Sequence, residues 1–569
     1  MFDRRRFLAN GFAAVAAGMS SRTLAGCFCM PMVRSSALGG SLGGSDPFAK
    51  IVIDGAPQLI DDIPFVPQWF GDTFPKNQLP FHQCESCDPA ALPDESVEIA
   101  IIGGGLSGLA SAYMLRDRKP VLFELHPRFG GNAMGEIWSD ADGAGAEAIP
   151  YSLGSAYFIT PDRGSRLESL YRELGVMDRA RIDTGPYVFE LSGSVTQDPC
   201  VQGCDPQQQA AVAAYQKLVQ HFANERYPEI PLPPRDDAWI RELDRVSLKQ
   251  FLDAKVGPHL PTAYAAAIQA YCYSSFGIGW DELSAAAGWN FIAAEEFGRV
   301  VLPGGNAALA HALWSKLAAL DDAHFMLRAS CMVVSVELAG SHVIVRWRDA
   351  KGTQRTMKAK HVIMANAKQI VERMIVDIGR VDAEKANALP SVQTVPYLVA
   401  NVLLKKPLAT DQYDVFLLHD HRFPMNSAEF EADRRIVDAV DGSFAMKPPP
   451  TRRDVLTLYW PLPWSSARFT IVAENDWQAY AEIGAQQIKR ALAVAGVAST
   501  DVAAVRMTRW GHAMPYAQPG QIADGIAELV RRPIAERIWF VNQDNWLLPA
   551  IETCLQEAMT FTDQIRARL

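Results

Sequence analysis

The spacing of apolar and polar residues predicts a strand, a helix and a second strand near the start of the folded body. Residues 97–102 form a short apolar run, which is typical of a buried strand. Residues 106–116 place apolar side chains at helical spacing along one side, and residues 121–123 are apolar again. This order predicts the first unit of a nucleotide-binding parallel sheet.

The rest of the chain continues this alternation in separated pieces. We predict mostly helices from about residue 154 to 302, and a later set of strands and helices. The strands are predicted at 332–347, 361–366, 396–404 and around 502–507, and the helices at 478–494 and 551–568. Nucleotide-type units that are split by a helical insertion predict an α/β fold with two interleaved domains.

The predicted division of the chain follows from these pieces. Residues 28–94 are rich in Gly, Pro, Ser and Asp with short apolar patches, and we interpret them as an extension that wraps the body. We assign residues 95–160, 301–375 and 511–569 to the nucleotide-binding domain. A mainly helical substrate domain takes residues 161–300, and 376–510 complete it.

Composition narrows the class of protein. The 569 residues are 49% hydrophobic and 21% charged, with a formal net charge of −10, so a nucleic-acid partner is not expected. The nine cysteines include two close pairs, Cys84 with Cys87 and Cys200 with Cys204. Their spacing does not match a zinc site, and we predict disulfides or free thiols and no metal.

The N-terminus predicts export. Arg4, Arg5 and Arg6 precede a weakly apolar run over residues 7–19, which is shorter than the about 20 residues that span a membrane. Paired arginines followed by Phe-Leu resemble a twin-arginine signal, which predicts residues 1–27 as an export signal and a periplasmic location. Residues 24–27 also resemble a lipobox, and the alternative is a lipid anchor on Cys27.

Three glycines follow the first predicted strand as Gly103-x-Gly105-x-x-Gly108. The first permits a tight turn, the second lets the backbone approach a pyrophosphate, and the third lets helix and strand pack closely. Ser107 belongs to the same turn at the helix N-terminus, which favours phosphate charge. Glu124 lies about 20 positions further on, where a carboxylate accepts hydrogen bonds from ribose hydroxyls. The sequence therefore predicts a dinucleotide site.

Residues 128–132 decide which dinucleotide. Arg128, Gly130, Gly131 and Asn132 resemble the flavin amine oxidase superfamily, in which a basic residue and Gly-Gly-Arg follow the acidic residue. The resemblance implies FAD, a Rossmann-type FAD-binding domain and an interleaved mixed α+β substrate domain. It also implies that these four residues contact FAD. Asn132 departs from the usual Arg.

The resemblance extends to the C-terminus. Residues 303–306 resemble the family's Gly-Gly turn, and Val333 matches a valine that touches the adenine side. Residues 538–544 resemble the C-terminal flavin-binding strand, which implies that Asp544 meets the ribityl chain. The usual Ala-Gly-Glu is replaced by Asn542 and its neighbours, which is a departure from the family.

Within the superfamily, three features resemble exported bacterial spermidine dehydrogenase-like proteins. They are the export signal, residues 401–404 and residues 509–512. Family oxidases often carry a lysine near flavin N5, in the strand that resembles residues 396–404. This chain has no lysine within that run, which favours a dehydrogenase over an oxidase.

The candidate catalytic residues are His512 and Tyr157. A histidine near the flavin can orient substrate or move a proton, and Tyr157 can form an aromatic wall, although both residue types are also common as packed structural groups. We interpret Arg531 with Arg532, and residues 383–386, as solvent-exposed charged surfaces.

Together these features predict hydride transfer from a carbon next to nitrogen to flavin N5, with an amine or polyamine as substrate. The electrons would pass to a periplasmic acceptor or to oxygen. One alternative is a carotenoid-type desaturase or isomerase, which predicts a wide apolar tunnel in place of a cavity with acidic groups or an aromatic cage. The others are a non-catalytic FAD-binding partner protein and loss of FAD altogether.

Overall fold

The computed structural model describes residues 45–51, 57–73, 93–139, 148–235, 237–410, 412–419, 423–447 and 452–569. The predicted export signal, Cys27 and the pair Cys84 and Cys87 lie outside the described residues. Those interpretations stay predictions. In the described part, no helix is long and apolar enough to cross a membrane.

The described residues form strands in four sheets. In chain order the strands are β1 (Phe48–Ile51), β2 (Gln58–Ile60), β3 (Ile63–Gly71), β4 (Glu95–Ile102), β5 (Val121–Phe123), β6 (Gly135–Trp138), β7 (Ile149–Ser152), β8 (Tyr157–Ile159), β9 (Arg181–Asp183), β10 (Phe189–Leu191), β11 (Ser194–Thr196), β12 (Arg299–Val301), β13 (Leu327–Arg328), β14 (Met332–Ala339), β15 (His342–Arg348), β16 (Gln354–Met364), β17 (Thr394–Leu404), β18 (Asp414–Leu417), β19 (Asp438–Asp441), β20 (Asp454–Pro461), β21 (Val502–Pro515) and β22 (Ile538–Phe540).

The α-helices are, in the same order, α1 (Leu106–Met114), α2 (Arg166–Leu174), α3 (Pro206–Asn224), α4 (Ala238–Asp244), α5 (Leu248–Lys255), α6 (Thr262–Phe276), α7 (Ala285–Ala294), α8 (Ala307–Ala318), α9 (Ala323–Met326), α10 (Lys368–Met374), α11 (Ile378–Val381), α12 (Ala383–Ala388), α13 (Ser427–Glu431), α14 (Trp477–Val494), α15 (Ile526–Arg531) and α16 (Ile551–Arg566).

A seven-stranded sheet forms the nucleotide-binding part. Its order is β13-β5-β4-β16-β15-β14, and β22 pairs with the end of β16. Strands β13, β5, β4, β16 and β22 run parallel, whereas β14, β15 and β16 form an antiparallel meander. Helices α1 and α16 pack on one face, where Ile101, Leu109 and Leu555 are fully buried in one cluster. Each such side chain contributes about 1.5–3 kcal/mol, which fixes both helices on this sheet.

A nine-stranded sheet forms the second part, in the order β11-β10-β18-β19-β20-β17-β21-β3-β2. Strand β17, beside the central strand β20, is buried along its whole length and is antiparallel to both β20 and β21. Strand β3 comes from the N-terminal extension and pairs in parallel with β21, while β1 pairs with β6. The described part of the extension therefore completes two sheets of the body.

Two predicted domain boundaries fall inside strands. The boundary at 300/301 cuts β12, and the boundary at 510/511 cuts β21. The sequence placed His512 in a Gly- and Pro-rich segment after a strand ending near residue 507, but the strand continues to Pro515. The reason is pairing with β17, where Trp510 lies opposite Tyr397 and Met514 opposite Val395. These cross-strand pairs outweigh the local preference of Gly511.

The segment predicted as mainly helical holds α2 to α7. Helix α3 begins at a capping box formed by Asp205 and Gln208, directly after a disulfide between Cys200 and Cys204. Helix α6 is apolar on all sides and nearly every residue is buried, so it lies inside the domain rather than on its surface.

One surface prediction is wrong. Lys385, in the stretch 383–386, is completely buried and donates from Nζ to the carbonyl oxygens of Leu529 and Val530. These carbonyls belong to the last turn of α15, where the helix dipole favours a cation. Arg531 is three-quarters buried and forms an ion pair with the buried carboxylate of Glu557 at 2.7 Å. Arg532, Ala383 and Glu384 are exposed, as predicted.

Candidate functional site

The glycine turn brings the N-terminus of α1 to the end of β4. Gly103 has a φ of +107°, which is accessible to glycine, and its N–H donates to the carbonyl of Phe123 at 2.9 Å. A Cβ on Gly108 would lie 1.8 Å from the carbonyl oxygen of Gly103. The turn therefore holds the first unpaired N–H groups of α1 toward the space beyond the strand.

Glu124 closes the turn from the next strand. Its carboxylate accepts hydrogen bonds from the N–H groups of Gly104 at 2.8 Å and His126 at 2.6 Å. Burial outweighs these bonds and raises the pKa of Glu124 to about 7. A side chain with two oxygens so placed can still accept hydrogen bonds from a diol.

A cavity of about 1140 Å³ begins at this turn and extends to the nine-stranded sheet. It opens at the carboxyl ends of β4, β5 and β16, where ligands bind in open α/β sheets. All candidate residues except Gly108 and Arg128 line it. The lining candidates are Gly103, Gly105, Ser107, Glu124, Gly130, Gly131, Asn132, Tyr157, Val333, His512 and Asp544.

Arg128 is predicted to contact FAD but does not line the cavity. Its Nη1 donates to the carbonyl oxygens of Gly135 at 2.9 Å and Pro47 at 3.3 Å. The side chain turns away from the cavity and joins the N-terminal extension to β6. The planar guanidinium group has five N–H donors and can bind carbonyl oxygens of two chain segments at once. Arg128 therefore links these segments. Gly108 lies outside the cavity because its role is close packing.

Asn132 and the two glycines before it form the opposite wall of the turn. Gly130 and Gly131 have φ values of +116° and +55°, and a Cβ on Gly131 would lie 3.1 Å from the Cα of Gly105. The Nδ2 of Asn132 donates to the carbonyl of Ala513 at 2.7 Å. The departure from arginine therefore links this loop to β21.

Asp544 lies in a short 3₁₀ turn (Gln543–Trp546) after β22, and its Oδ2 accepts the backbone N–H of Lys368 at 2.9 Å. The side chain of Lys368 is fully buried and donates from Nζ to Oδ1 of Asn542 at 2.8 Å and Oδ1 of Asn545 at 2.6 Å. Burial lowers the pKa of Lys368 to about 8. The departure at Asn542 thus supplies a partner for a buried ammonium.

Sequence reasoning missed Lys368. The sequence did contain a signal for this residue, because a lysine follows directly after the strand that leads back to the cofactor site. The family resemblance predicted that strand but said nothing about the lysine. A buried lysine has to be hydrogen bonded, and the unusual asparagines at the C-terminal strand are its acceptors.

His512 lies on β21 and lines the cavity. Its Nδ1 is 2.7 Å from Oγ1 of Thr394, which also accepts a hydrogen bond from Nε2 of Gln369 at 3.2 Å. The Gln369 amide is oriented by the carbonyl of Val392, to which the same nitrogen donates at 2.9 Å. The Thr394 hydroxyl can donate to an unprotonated Nδ1 or accept from a protonated one, and either bond holds the ring of His512 at the cavity wall.

Tyr157 lies on β8 at the substrate side of the cavity. Its hydroxyl donates to Oε1 of Glu295 at 2.7 Å, and the hydroxyl of Tyr271 donates to the same oxygen at 3.2 Å. Tyr397 and Tyr459 lie further along the same wall with their rings 6.0 Å apart at an edge-on angle of 72°. The structure therefore places Tyr157 in a group of tyrosines.

Three buried carboxyl groups line the same region: Glu295, Asp414 and Asp438. Arg299 is buried beside them and is 3.1 Å from Asp414 and 3.6 Å from Glu295. One oxygen of each of the three carboxyls has no hydrogen-bond donor among the described residues. Three carboxyl groups therefore share the one arginine Arg299 at this end.

Sequence reasoning missed these acidic groups as well. Asp414 and Asp438 each stand in a short apolar strand, and an acidic residue at an inward position of such a run is a signal for a polar site. Only pairing of β18 with β19 brings the two together.

The residues present fit FAD. A glycine-lined cradle at the helix N-terminus suits the pyrophosphate, Glu124 suits the ribose, and the cavity exceeds the about 300–1,000 Å³ of ordinary ligand pockets. Asn366 also lines the cavity, and its Oδ1 is buried without a hydrogen-bond donor among the described residues. A bound cofactor could supply that donor.

Comparison with known proteins gives the same architecture. Residues 101–174 match the NAD(P)-binding Rossmann-like domain family. Over 83% of this chain and 100% of the other, the fold is similar to a variant of putrescine oxidase at 16% identity and a TM-score of 0.59. Cyclohexylamine oxidase from Brevibacterium oxydans IH-35A is similar at 16% identity and a TM-score of 0.57, over 83% and 99% of the chains.

The chain has the flavin amine oxidase fold. This confirms the predicted Rossmann-type domain interleaved with a mixed α+β domain. The oxidoreductase PigB of Serratia sp. (strain ATCC 39006) is 21% identical over 87% of this chain and 79% of its own length. These relatives and structural neighbours are oxidoreductases, in agreement with the expected FAD-dependent enzyme.

Two other similarities bear on the desaturase and isomerase alternative. The 15-cis-phytoene desaturase of Narcissus pseudonarcissus is 30% identical over 101 residues, which is 17% of this chain and 16% of that protein. A fatty acid isomerase from P. acnes has a TM-score of 0.57 at 14% identity, over 82% of this chain and 98% of its own. The fold is therefore shared by several chemistries, and the cavity has to distinguish them.

Among the described residues, no group of three or more His, Cys, Asp or Glu side chains is arranged to hold a metal ion. The prediction that the protein uses no metal concerns the whole chain and stays a prediction.

Proposed function

We propose that this protein is an FAD-dependent oxidoreductase that oxidises a C–N bond of an amine by hydride transfer to flavin N5. The observation that carries the proposal is the set of buried, incompletely paired carboxyl groups on Glu295, Asp414 and Asp438 in a tyrosine-lined part of the cavity. Such a lining suits a cation and opposes a wholly apolar substrate, because buried charge without a partner is costly.

The proposed cofactor contacts follow the cavity from the glycine turn. The residues that would hold FAD are Gly103, Gly105, Ser107, Glu124, Gly130, Gly131, Asn132, Val333 and Asp544. FAD, when bound, would supply the hydride acceptor. The N-terminus of α1 and the glycine backbone would hold the pyrophosphate, and Glu124 would accept ribose hydroxyls.

The strand register of the nine-stranded sheet places the acidic residues relative to β17 along the substrate part of the cavity. Asp438, Tyr459 and Val399 lie directly opposite one another on β19, β20 and β17, and all three line the cavity. Strands are spaced by about 4.8 Å, so Asp438 is about 10 Å from Val399 across the sheet. The family resemblance puts flavin N5 beside β17, and the acidic groups therefore lie at the far end of the substrate space.

The chain's own residues would prepare the amine for oxidation. Tyr397 and Tyr459 would confine the carbon that loses hydride, and the surrounding apolar side chains would exclude water. The C–H bond breaks with both electrons, which leaves an iminium that water hydrolyses to a carbonyl compound. His512 lies on the cavity wall and would orient substrate through a hydrogen bond at Nε2.

The electron acceptor and location are part of the same proposal. Of β17, Tyr397 and Val399 line the cavity, and neither can hold a water as a lysine ammonium does. This supports electron transfer to a periplasmic acceptor over direct use of oxygen, as in spermidine dehydrogenase-like proteins. Fractionation of cells that express the full chain, with Arg5→Lys and Arg6→Lys together as the matched variant, tests export.

Anaerobic mixing of the FAD-loaded protein with a panel of amines tests the reaction. Bleaching of the oxidised flavin absorbance by one class of amine, and not by the alcohols of matched shape, is the expected result. Bleaching only by apolar polyenes or fatty acids would replace the amine by an apolar substrate. A protein that binds no FAD at all would end the proposal.

A further inference from the structure

Asp414 and Asp438 form a buried pair at the acidic end of the cavity. They lie on adjacent antiparallel strands, where Asp438 is opposite Phe416 and Asp414 is opposite Val440, so the two aspartates are diagonal neighbours on one face. They are 8% and 4% exposed, and both line the cavity. Such diagonal neighbours on adjacent strands lie about 7–8 Å apart, within mutual reach of their side chains, and both carboxyl groups face the same part of the cavity.

In each aspartate of the pair, Oδ2 has a hydrogen-bond donor and Oδ1 has none among the other described residues. Oδ2 of Asp438 accepts from the hydroxyl of Ser274 at 2.7 Å, and Oδ2 of Asp414 accepts from Nη1 of Arg299 at 3.1 Å. Oδ1 of each aspartate is buried with no N–H or O–H donor among the other described residues. A hydrogen bond between two carboxyls requires a proton on one of them.

The groups that face the pair leave it short of positive charge. The cation is Arg299, which also pairs with Asp183 and Glu295. Glu295 also interacts with Asp414, and burial raises the pKa of its carboxyl. The other titratable groups that interact with the pair are the hydroxyls of Tyr157, Tyr397, Tyr413 and Tyr459, all neutral because burial holds their pKa values above the usual range.

Two carboxyls this close in a buried site do not both ionise. Burial and the neighbouring Asp414 raise the pKa of Asp438 well above its ordinary value. The free protein therefore keeps a proton on the pair, in the place where a cation would otherwise balance the charge.

We propose that the Asp414–Asp438 pair is a cation site at which an ammonium group of the substrate, remote from the oxidised carbon, replaces the shared proton. The inference rests on the proposed function for its substrate class. The O–H bond of the Asp438 carboxyl breaks, the proton leaves to solvent, and the ammonium takes its place between the two carboxylates. The tyrosine rings beside the pair suit a cation in the same position.

Exchange of the proton for a cation changes how the dissociation constant depends on pH. Each bound cation releases about one proton as long as the pair is protonated in the free protein, so the dissociation constant falls about tenfold for each unit of rising pH. Above the pH at which the pair loses its proton, both the release and the slope vanish. A cation that binds to a permanently charged site shows neither effect.

The probe is tetramethylammonium chloride, which carries a fixed charge and has no proton of its own. Titration calorimetry of the FAD-loaded protein in buffers of different ionisation enthalpy gives the number of protons released to the buffer. Neopentyl alcohol is the neutral control of similar shape. We expect about one proton per bound tetramethylammonium and at least tenfold weaker binding of the alcohol.

Asp438→Asn tests the residue. The amide imitates the protonated carboxyl but cannot lose a proton, so cation binding weakens at least tenfold and proton release disappears. Asp183→Asn is the matched control, because Asp183 pairs with the same arginine but does not line the cavity, and it keeps both effects. If Asp438→Asn does not fold, the pH slope of the unsubstituted protein decides.

Absence of tetramethylammonium binding, binding without proton release, or release that persists in Asp438→Asn would each overturn the proton exchange. The proposed function fails separately. If no amine bleaches the flavin while tetramethylammonium still displaces a proton, the cation site stands and the oxidation of a C–N bond does not.

Discussion

Lys368 donates a hydrogen bond from Nζ to Oδ1 of Asn542 over 2.8 Å, so a fully buried ammonium is joined to a side chain of the cavity wall. Asn542 in turn donates from Nδ2 to the carbonyl of Asn366 at 2.7 Å. The backbone N–H of Lys368 meanwhile binds Asp544. One residue therefore sets the position of both polar groups at the proposed ribityl end of the flavin.

Lys368→Met should destabilise the protein and lower the midpoint potential of bound flavin. The variant leaves two buried asparagine oxygens without a donor, which costs about 1–3 kcal/mol for each group. It also removes a positive charge that favours the reduced flavin anion. Thermal unfolding and a spectroelectrochemical titration measure the two effects. Lys360→Met, at an exposed position of β16, is the control that should change neither. An unchanged potential in Lys368→Met would contradict the electrostatic role.

The stability of the protein should rise with pH through Lys385. Burial lowers the pKa of this lysine to about 6, well below its ordinary value, so between about pH 6 and 10 the unfolded state binds more protons than the folded state. The contribution is about 1 kcal/mol per pH unit over that window. Chemical denaturation of the wild type and of Lys385→Met measures it.

The Lys385→Met variant lacks the titrating group and should therefore gain relative stability as the pH falls toward 6. A stability difference between the two proteins that does not change between pH 6 and 9 would show that Lys385 is charged in the folded state.

We expect the Thr394 hydroxyl to donate to Nδ1 of His512 and so to keep the ring proton on Nε2, and Thr394→Val should release the ring from this tautomer. The valine keeps the shape of threonine but removes the hydroxyl that is hydrogen bonded to Nδ1 over 2.7 Å. Nitrogen NMR of protein labelled at histidine should show a protonated Nε2 in the wild type and a tautomer mixture in the variant, with His512→Gln to assign the signal.

The same change should slow flavin reduction by an active amine by about 10²-fold if Nε2–H orients substrate. Thr508→Val is the matched control, since Oγ1 of Thr508 is buried and has no hydrogen-bond partner among the described residues. Equal rates in all variants across pH would remove His512 from the chemistry and leave it a packed histidine.

Gly108→Ala should abolish FAD binding. The added Cβ would lie 1.8 Å from the carbonyl oxygen of Gly103, so the turn and α1 must separate. Flavin retention after purification and FAD titration of the apoprotein measure the loss. Gly379→Ala is the control, because a Cβ there meets nothing within 4 Å. Normal FAD affinity in Gly108→Ala would show that the turn is not the pyrophosphate site.

The sequence by itself determined the nucleotide-binding half. The glycine turn and Glu124 are local signals, because backbone freedom and a strand–helix–strand period act within about 30 residues. The periods of β17, α14 and α16 were equally local, and each predicted element lies within a few residues of its observed bounds. These features depend only on residues that are close to one another in the sequence.

Only the tertiary structure decided which distant groups meet. Arg128 faces carbonyls rather than the cavity because the N-terminal extension packs beside it, and β21 continues through His512 because β17 pairs with it. Asp414 and Asp438 are 24 residues apart and become a pair only through the register of two strands. Lys368 and Lys385 are buried because long-range acceptors surround them. The burial and the charge of these residues depend on contacts between distant parts of the chain. A local sequence pattern contains no information about such contacts.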